Sequence, residues 1–317
     1  MANKVPNRIA WRDVLRNYGT VFALLILFII LSITSPAFLS FRNLHNIFDQ
    51  SAHTGIVACA MTIVIIGGNF DLSVGATFAI AGSLAAMLGK AGYTELGILA
   101  ALLAGVLLGL INGGIVTLLR INSFIATLAT SLMFRGIALV MTSGLLFLVL
   151  DPKFTIIGQG YFLGIKYPIY LFLIFVVLTW FLLSRTTFGR YVYAIGGNAE
   201  AARLSGIRVG LIRTLTFCLT GFAAGIAGVI TVSRIAQGQA GMGSGLELDA
   251  IAATVLGGTS ILGGEGAIWR TVVGVLLLRL IANGFNLLNV EPFYQSIFQG
   301  AIIIVAVALD TLAKRES

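Results

Sequence analysis

Long apolar stretches with almost no charge follow one another along the whole chain, and they restrict what it can fold into. Of the 317 residues, 58% are hydrophobic and 10% are charged, whereas an average soluble domain has about 25% charged residues. A soluble fold has too little interior to bury so much apolar surface. Because the stretches are continuous and do not alternate in polarity, they favour helices over a membrane β-barrel. We predict an all-α, polytopic integral membrane protein.

The number of crossings follows from the length of these stretches. A helix that crosses a bilayer needs about 20 apolar residues, and roughly ten stretches come close to this length. No soluble domain is appended, so residues 1–317 are predicted to form a single transmembrane domain. The predicted spans are 18–35, 51–68, 72–89, 95–119, 123–146, 167–184, 212–233, 247–263, 267–288 and 293–310.

Basic residues gather in three segments and predict the orientation in the membrane. The predicted spans put an even number of crossings between the N-terminal segment 1–17, the loop 185–213 and the C-terminus. Since basic segments stay in the cytoplasm, all three are predicted to be cytoplasmic. The net charge of +8 is therefore interpreted as a topology signal and not as a nucleic-acid surface. The basic residues are Lys4, Arg8, Arg12, Arg16, Arg185, Arg190, Arg203, Arg208, Arg213, Lys314 and Arg315.

The chain lacks the residue patterns that metal binding, nucleotide binding and nucleophilic catalysis require. The two cysteines and two histidines do not stand at ligand spacing, so no metal site and no disulfide framework is predicted. No glycine-rich nucleotide cradle occurs, and no serine or cysteine has a plausible histidine base. We therefore predict no catalytic residue and no cofactor, and any ATP would have to be bound by a partner.

The loop 185–213 contains a short segment that favours a helix, residues 198–206. Its alanines, glutamate and leucine have good helix propensity, and Gly206 would end the helix. The simpler interpretation is a solvated positive loop. The alternative is a docking helix that a cytoplasmic partner contacts.

Two glycine-rich segments interrupt the apolar stretches. Gly67–Gly68 is followed by polar residues up to Gly75, and this segment is either a capped turn or a broken helix near a transport path. A similar glycine-rich composition recurs at residues 256–266 and suggests an internal repeat. Arg135 and Arg279 lie within predicted spans, where each either has a function or reaches the interface. The candidate residues for a translocation path or helix break are Asn69, Asp71, Ser73, Gly257, Gly258 and Thr259.

Small residues recur every four positions on the fourth predicted span and predict close packing against another helix. On the seventh span, Gly221 and Gly225 are likewise predicted to allow close packing. On the fourth span its members are Gly97, Ala101, Gly105, Gly109 and Gly113.

Segments spread over nearly the whole chain resemble the membrane permease subunits of bacterial ABC importers for simple sugars, the ribose, xylose and arabinose group. The segments occur in the family's order, and together they are specific. They are residues 68–75, 122–128, 189–198, 202–207, 247–253, 256–260 and 263–266.

The resemblance implies an ABC importer permease fold in the bacterial inner membrane and a set of partners. These are a cytoplasmic ATP-binding subunit that holds the ATP, an extracytoplasmic sugar-binding protein and a second permease copy or paralogue, with lipid around them. It also implies a coupling helix that docks on the ATP-binding subunit. By this resemblance, the coupling residues are Asn198, Glu200, Ala201, Ala202, Arg203, Ser205 and Gly206.

Two other functions remain open at the level of sequence. A secondary transporter driven by an ion gradient would need intramembrane acids, for which Asp71, Glu247 and Asp249 are the candidates. A membrane receptor or scaffold would carry no flux at all.

Overall fold

The structure is a computed structural model that describes residues 11–291 and residues 294, 295, 297, 298, 300, 301 and 304, with side chains from residue 18 onward. Most of the predicted tenth span, 293–310, and the basic residues Lys314 and Arg315 lie outside the described residues.

The described part of the chain is mostly helical, with twelve helices and four two-residue strands. In chain order the elements are α1 Trp11–Thr34, α2 Phe41–Ile66, α3 Val74–Lys90, α4 Thr94–Leu118, α5 Ser123–Thr142, β1 Phe147–Leu148, α6 Pro152–Gln159, β2 Tyr161–Phe162, β3 Ile165–Lys166, α7 Tyr167–Arg185, α8 Thr187–Gly197, α9 Ala199–Leu204, α10 Val209–Ile235, β4 Gln237–Gly238, α11 Leu246–Leu256 and α12 Ile268–Leu287.

Six described helices, α2, α4, α5, α7, α10 and α12, are long and apolar enough to cross a membrane. The apolar parts of α1 and α3 are shorter, Tyr18–Thr34 and Val74–Lys90. Together these eight helices coincide with eight of the predicted spans. The prediction for 247–263 does not match the structure, because α11 has 11 residues and is therefore about 17 Å long, whereas a bilayer core is about 30 Å thick.

The chain reaches α11 through a non-helical segment, residues 236–245, that runs along α3. The segment starts at strand β4, which pairs antiparallel with β1. A Cβ on Gly238 would meet the Ala86 side chain at 2.5 Å, near the end of α3. A Cβ on Gly243 would meet the Gly75 carbonyl at 2.8 Å, at the start of α3. The segment thus runs along most of α3 before α11 begins. Helix α11 is short because it ends at Gly257 and Gly258, where Gly258 has φ +80°.

Arg135 of α5 holds this segment. Its Nη1 donates to the main-chain oxygens of Ala240 at 2.7 Å and Met242 at 2.6 Å. Backbone that is not helical needs such partners at membrane depth, because no water is there to bind it. The structure therefore gives this intramembrane arginine a definite role: it donates hydrogen bonds to carbonyl groups that have no partner within a helix.

Helix α2 lies at the centre of the fold. In its most apolar window, 89% of the residues are buried inside the chain, compared with 28% for α4 and α5. It contacts α7, α10, α11 and α12. Its start, near strand β3, and its end, near α8, mark two ends of the molecule, which we call the hairpin end and the α9 end.

Helices α4 and α10 approach closely along the small residues that the sequence predicts for packing. A Cβ on Gly109 would lie 2.8 Å from the Phe217 carbonyl carbon, and one on Gly225 would lie 3.0 Å from the Ala101 oxygen. Gly105 and Gly221 face each other in the same way. The predicted contact is confirmed: backbone meets backbone, and a side chain has no room between the helices.

A methyl group at this contact is expected to separate α4 from α10. Gly109→Ala should lower the stability of the purified protein by about 1–3 kcal/mol, the usual cost of overpacking. The matched control is Gly114→Ala on the same helix, where an added Cβ would meet only the Leu118 side chain at 4.0 Å. Thermal unfolding in detergent measures both, and equal midpoints for the two variants would contradict the packing.

Candidate functional site

Helices α8 and α9 form because polar residues cap their starts. Thr186 accepts a hydrogen bond from the Gly189 N–H at 3.3 Å. Asn198 accepts from the N–H groups of Glu200 at 3.0 Å and Ala201 at 2.9 Å. These bonds satisfy amide groups that have no partner inside a helix.

Helix α9 ends as predicted at Gly206. The N–H of Gly206 donates to the Arg203 oxygen at 3.0 Å, and that of Ile207 donates to the Ala202 oxygen at 3.1 Å. This pair of bonds is a Schellman motif, which needs a residue with positive φ, and Gly206 has φ +84°.

The surface of α9 is mostly exposed. Ala202 is buried, whereas Glu200, Ala201, Arg203 and Ser205 are exposed and Leu204 is 73% exposed. Glu200 accepts two hydrogen bonds from Arg203, at 2.6 and 3.0 Å, and these lower the pKa of its carboxyl group. The pair is thus formed at neutral pH and is lost as the pH falls through this lowered pKa. All seven residues predicted for coupling lie in this one turn and its caps; their contact with a partner stays a prediction.

Asn69, Asp71 and Ser73 lie together in the segment between α2 and α3. All three are buried, with Asp71 only 1% exposed. Asp71 Oδ1 accepts from the Ser73 hydroxyl at 2.7 Å, and Oδ2 accepts from the Thr220 hydroxyl of α10 at 2.6 Å. The carboxylate therefore links α3 to α10.

Helices α4 and α5 hold the same segment. The N–H groups of Phe70 and Leu72 donate to Ser123 Oγ at 3.1 Å and Thr127 Oγ1 at 3.0 Å. Asn112 of α4 donates to Ser73 Oγ at 2.6 Å. The segment is a turn that caps the end of α2 and lies buried inside the bundle; its place near a transport path stays a prediction. Thr220 and Asn112 were missed from the sequence, although each is a polar residue in an apolar stretch.

Gly257, Gly258 and Thr259 lie at the end of α11, away from the Asp71 cluster. Gly258 has φ +80° and Gly68 has φ +76°, and both helices end in the same Schellman hydrogen bonds. Helix α9 ends with the same hydrogen bonds. The similarity between the ends of α2 and α11 is therefore a common way for helices to end and adds no support for an internal repeat. Gly257 contacts the Arg270 backbone of α12, and Thr259 is 1% exposed.

The α9 end of the fold contains a contact that we call the glycine junction, formed by Gly68, Gly196, Gly263 and Gly264. The Gly264 N–H donates to the Ile66 oxygen at 2.9 Å, which joins the last residue of α2 to the loop after α11.

Helix α8 lies against this bond through Gly196. A Cβ on Gly196 would meet the Gly264 nitrogen at 2.5 Å and would be closer still to the Ile66 oxygen. Tyr193, one turn earlier, donates its hydroxyl to the Gly266 oxygen at 2.8 Å. The helix that leads into α9 therefore contacts both glycine-rich segments directly. The sequence held a signal for this, the Gly196–Gly197 pair before Asn198.

Apolar helices with buried polar breaks, and an exposed capped helix at one end, define the class: a polytopic helical membrane protein. A family model described as "Branched-chain amino acid transport system / permease component" matches residues 43–307. The chain belongs to this permease family.

Curated relatives identify the branch of the family. The chain is 44% identical to the ribose import permease of Bacillus subtilis strain 168, over 96% of this chain and 95% of that protein. It is 41% identical to the ribose import permease of Escherichia coli K12, over 95% of this chain and 94% of that protein. It is 39% identical to the L-arabinose ABC transporter permease of Azospirillum brasilense, over 96% of this chain and 90% of that protein. The resemblance to simple-sugar ABC permeases is confirmed. No solved structure matches the chain.

The glycine junction predicts a contrast between adjacent glycines. Gly196→Ala should push α8 away from the Gly264–Ile66 bond and lower the stability of the purified protein by about 1–3 kcal/mol. Gly197→Ala is the control, because an added Cβ there would meet nothing within 4 Å. Thermal unfolding measures the difference, and a Gly196→Ala protein as stable as the control would show that the helices do not touch here.

Proposed function

We propose that the chain is the membrane-spanning subunit of an importer that moves a monosaccharide, a ribose-like pentose or a related simple sugar, across the bacterial inner membrane. The observation that carries this proposal is the 44% identity to a ribose import permease over nearly the full length of both proteins. Energy would come from ATP hydrolysis by a separate cytoplasmic subunit, since the sequence has no nucleotide-binding motif of its own.

The partners are assigned to opposite ends of the molecule. The ATP-binding subunit would dock on α9, which exposes Leu204 beside a charged pair. An extracytoplasmic sugar-binding protein would meet the hairpin end, and a second permease, identical or paralogous, would complete the pathway. Lipid would cover the remaining apolar faces, such as the exposed side of α4.

The topology belongs to the same proposal. Residues 1–317 would form one domain that crosses the membrane several times, with both termini in the cytoplasm, together with segments 1–17 and 185–213. The even number of predicted crossings between segment 1–17 and loop 185–213, which α1, α2, α3, α4, α5 and α7 match, supports placing these two segments on the same side.

Transport in proteoliposomes tests the proposal. The chain, reconstituted with its ATP-binding subunit and sugar-binding protein, should take up labelled D-ribose, L-arabinose or D-allose only when ATP is supplied on the side of the ATP-binding subunit. The chain alone should take up none of them under a pH or sodium gradient. Uptake by the chain alone would contradict the proposal and favour the secondary transporter; no uptake by the full complex would favour the scaffold.

Docking on α9 is tested by two exposed leucines at opposite ends of the fold. Leu204→Asp would bring a carboxylate into an apolar contact, so binding of the ATP-binding subunit should fall by about tenfold or more. The control is Leu163→Asp in the turn between β2 and β3, where Leu163 is 83% exposed. Co-purification with the ATP-binding subunit, without the sugar-binding protein, is the measurement. Equal binding by the two variants would remove α9 from the interface.

A further inference from the structure

A polar cavity of about 520 Å³ opens at the hairpin end, among α2, the start of α7, α10 and α12. We call it the hairpin-end cavity. Its volume lies within the range of small-molecule sites, about 300–1,000 Å³. Its lining includes Asp49, Gln50, His53, Lys166, Arg234 and Arg279.

The cavity extends deep into the bundle. His53 lies about 18 Å along α2 from Phe41, nearly halfway along this 26-residue helix. Arg279 lies near the middle of the 20-residue α12. Ionisable groups at such depth are costly to keep in a membrane, and they usually mark the path of a substrate or ion.

The charged groups are held in place by one another. Lys166 Nζ contacts Asp49 Oδ2 at 2.8 Å, and Arg234 Nη1 donates to the Asp49 main-chain oxygen at 3.5 Å. Arg279 lies 3.9 Å from Asp249 and donates to the Thr54 hydroxyl. The cavity is thus a built site whose side chains have fixed positions.

Two atoms of the cavity have no hydrogen-bond partner among the described residues: Asp49 Oδ1 and His53 Nδ1. Asp49 is 3% exposed, so its free oxygen is buried inside the protein. A buried carboxylate oxygen can only accept, whereas Arg234 and Arg279 can only donate. A suitable ligand must therefore supply both donors and acceptors.

This requirement separates the classes of ligand. A carboxylate accepts from arginine but brings no donor for Asp49 Oδ1, and an amine does the reverse; a hydrogen phosphate ion brings only a single O–H donor. A hydroxyl group donates and accepts at once, and several on one small molecule can serve the whole lining. We propose that the hairpin-end cavity is a binding subsite for an uncharged polyhydroxylated ligand, the chemical class of a monosaccharide. The proposal deepens the proposed function and rests on it.

Direct binding tests the subsite. The full chain with its ATP-binding subunit in lipid nanodiscs is titrated with D-ribose, L-arabinose, D-allose and inorganic phosphate, and ligand-observed NMR follows saturation. At least one sugar should saturate, and Asp49→Asn should weaken its binding by about tenfold or more, since a hydrogen bond to a charged group is lost. Glu95→Gln is the control, an exposed acid at the start of α4.

Uptake assays separate a binding role from a structural one. Asp49→Asn should raise the apparent KM for sugar and leave the maximal rate within about twofold. If Asp49→Asn does not fold, Gln50→Leu replaces it, because it removes a polar lining group and keeps every charge. Lower folded yield with an unchanged KM would assign Asp49 a structural role and overturn the proposal.

Other outcomes are equally decisive. Saturation by phosphate and not by sugar would make the cavity an anion site. No saturable sugar signal would mean that the cavity holds water only, and sugar binding that Asp49→Asn leaves unchanged would put the sugar elsewhere. In each case ATP-driven sugar uptake can still succeed, so the proposed function would stand alone. Saturable sugar binding without any uptake by the complex would overturn the proposed function and leave the subsite.

Discussion

The fold depends on satisfying backbone polar groups that leave helical geometry at membrane depth. Residues 67–73 and 236–245 both run through the bundle without helical hydrogen bonds, where no water replaces them. Side chains supply the missing partners. Ser123 and Thr127 accept from the first segment, and Arg135 donates to the second. These three side chains all come from α5, and strand β1 pairs with the start of the second segment, so α5 holds both non-helical segments against the elements around them.

A second constraint is the absence of side chains where helices meet. Between α4 and α10, and again at the glycine junction, backbone touches backbone. In a membrane, apolar side chains gain little from leaving lipid, so close contact and hydrogen bonding hold helices together. The glycines of α4 therefore determine how closely α4 approaches α10. In the same way, Gly196 determines how closely α8 approaches the end of α2.

Much of this could be predicted from the sequence, because length and polarity dictate where helices cross a membrane. Eight spans and the capped turn at 198–206 follow from local rules alone. The prediction for 247–263 failed at its far end, because hydropathy does not report helicity: α11 begins at Leu246, close to the predicted start, but Gly257 and Gly258 end the helix after 11 residues. The grouping of Asp71 with Thr220 also escaped prediction, since a contact between residues so far apart in the chain depends on the three-dimensional arrangement of helices.

The glycine junction has a mechanical consequence. A contact between side chains can absorb a small displacement by rotating a χ angle, whereas glycine has no side-chain torsion to rotate. Where Gly196 contacts Ile66 and Gly264, no side-chain rotation can therefore absorb a displacement of α8. The end of α2 and the loop after α11 must move with it, and α2 extends across the bundle to the hairpin end. The connection along α2 between the two ends of this protein thus begins at its smallest residues.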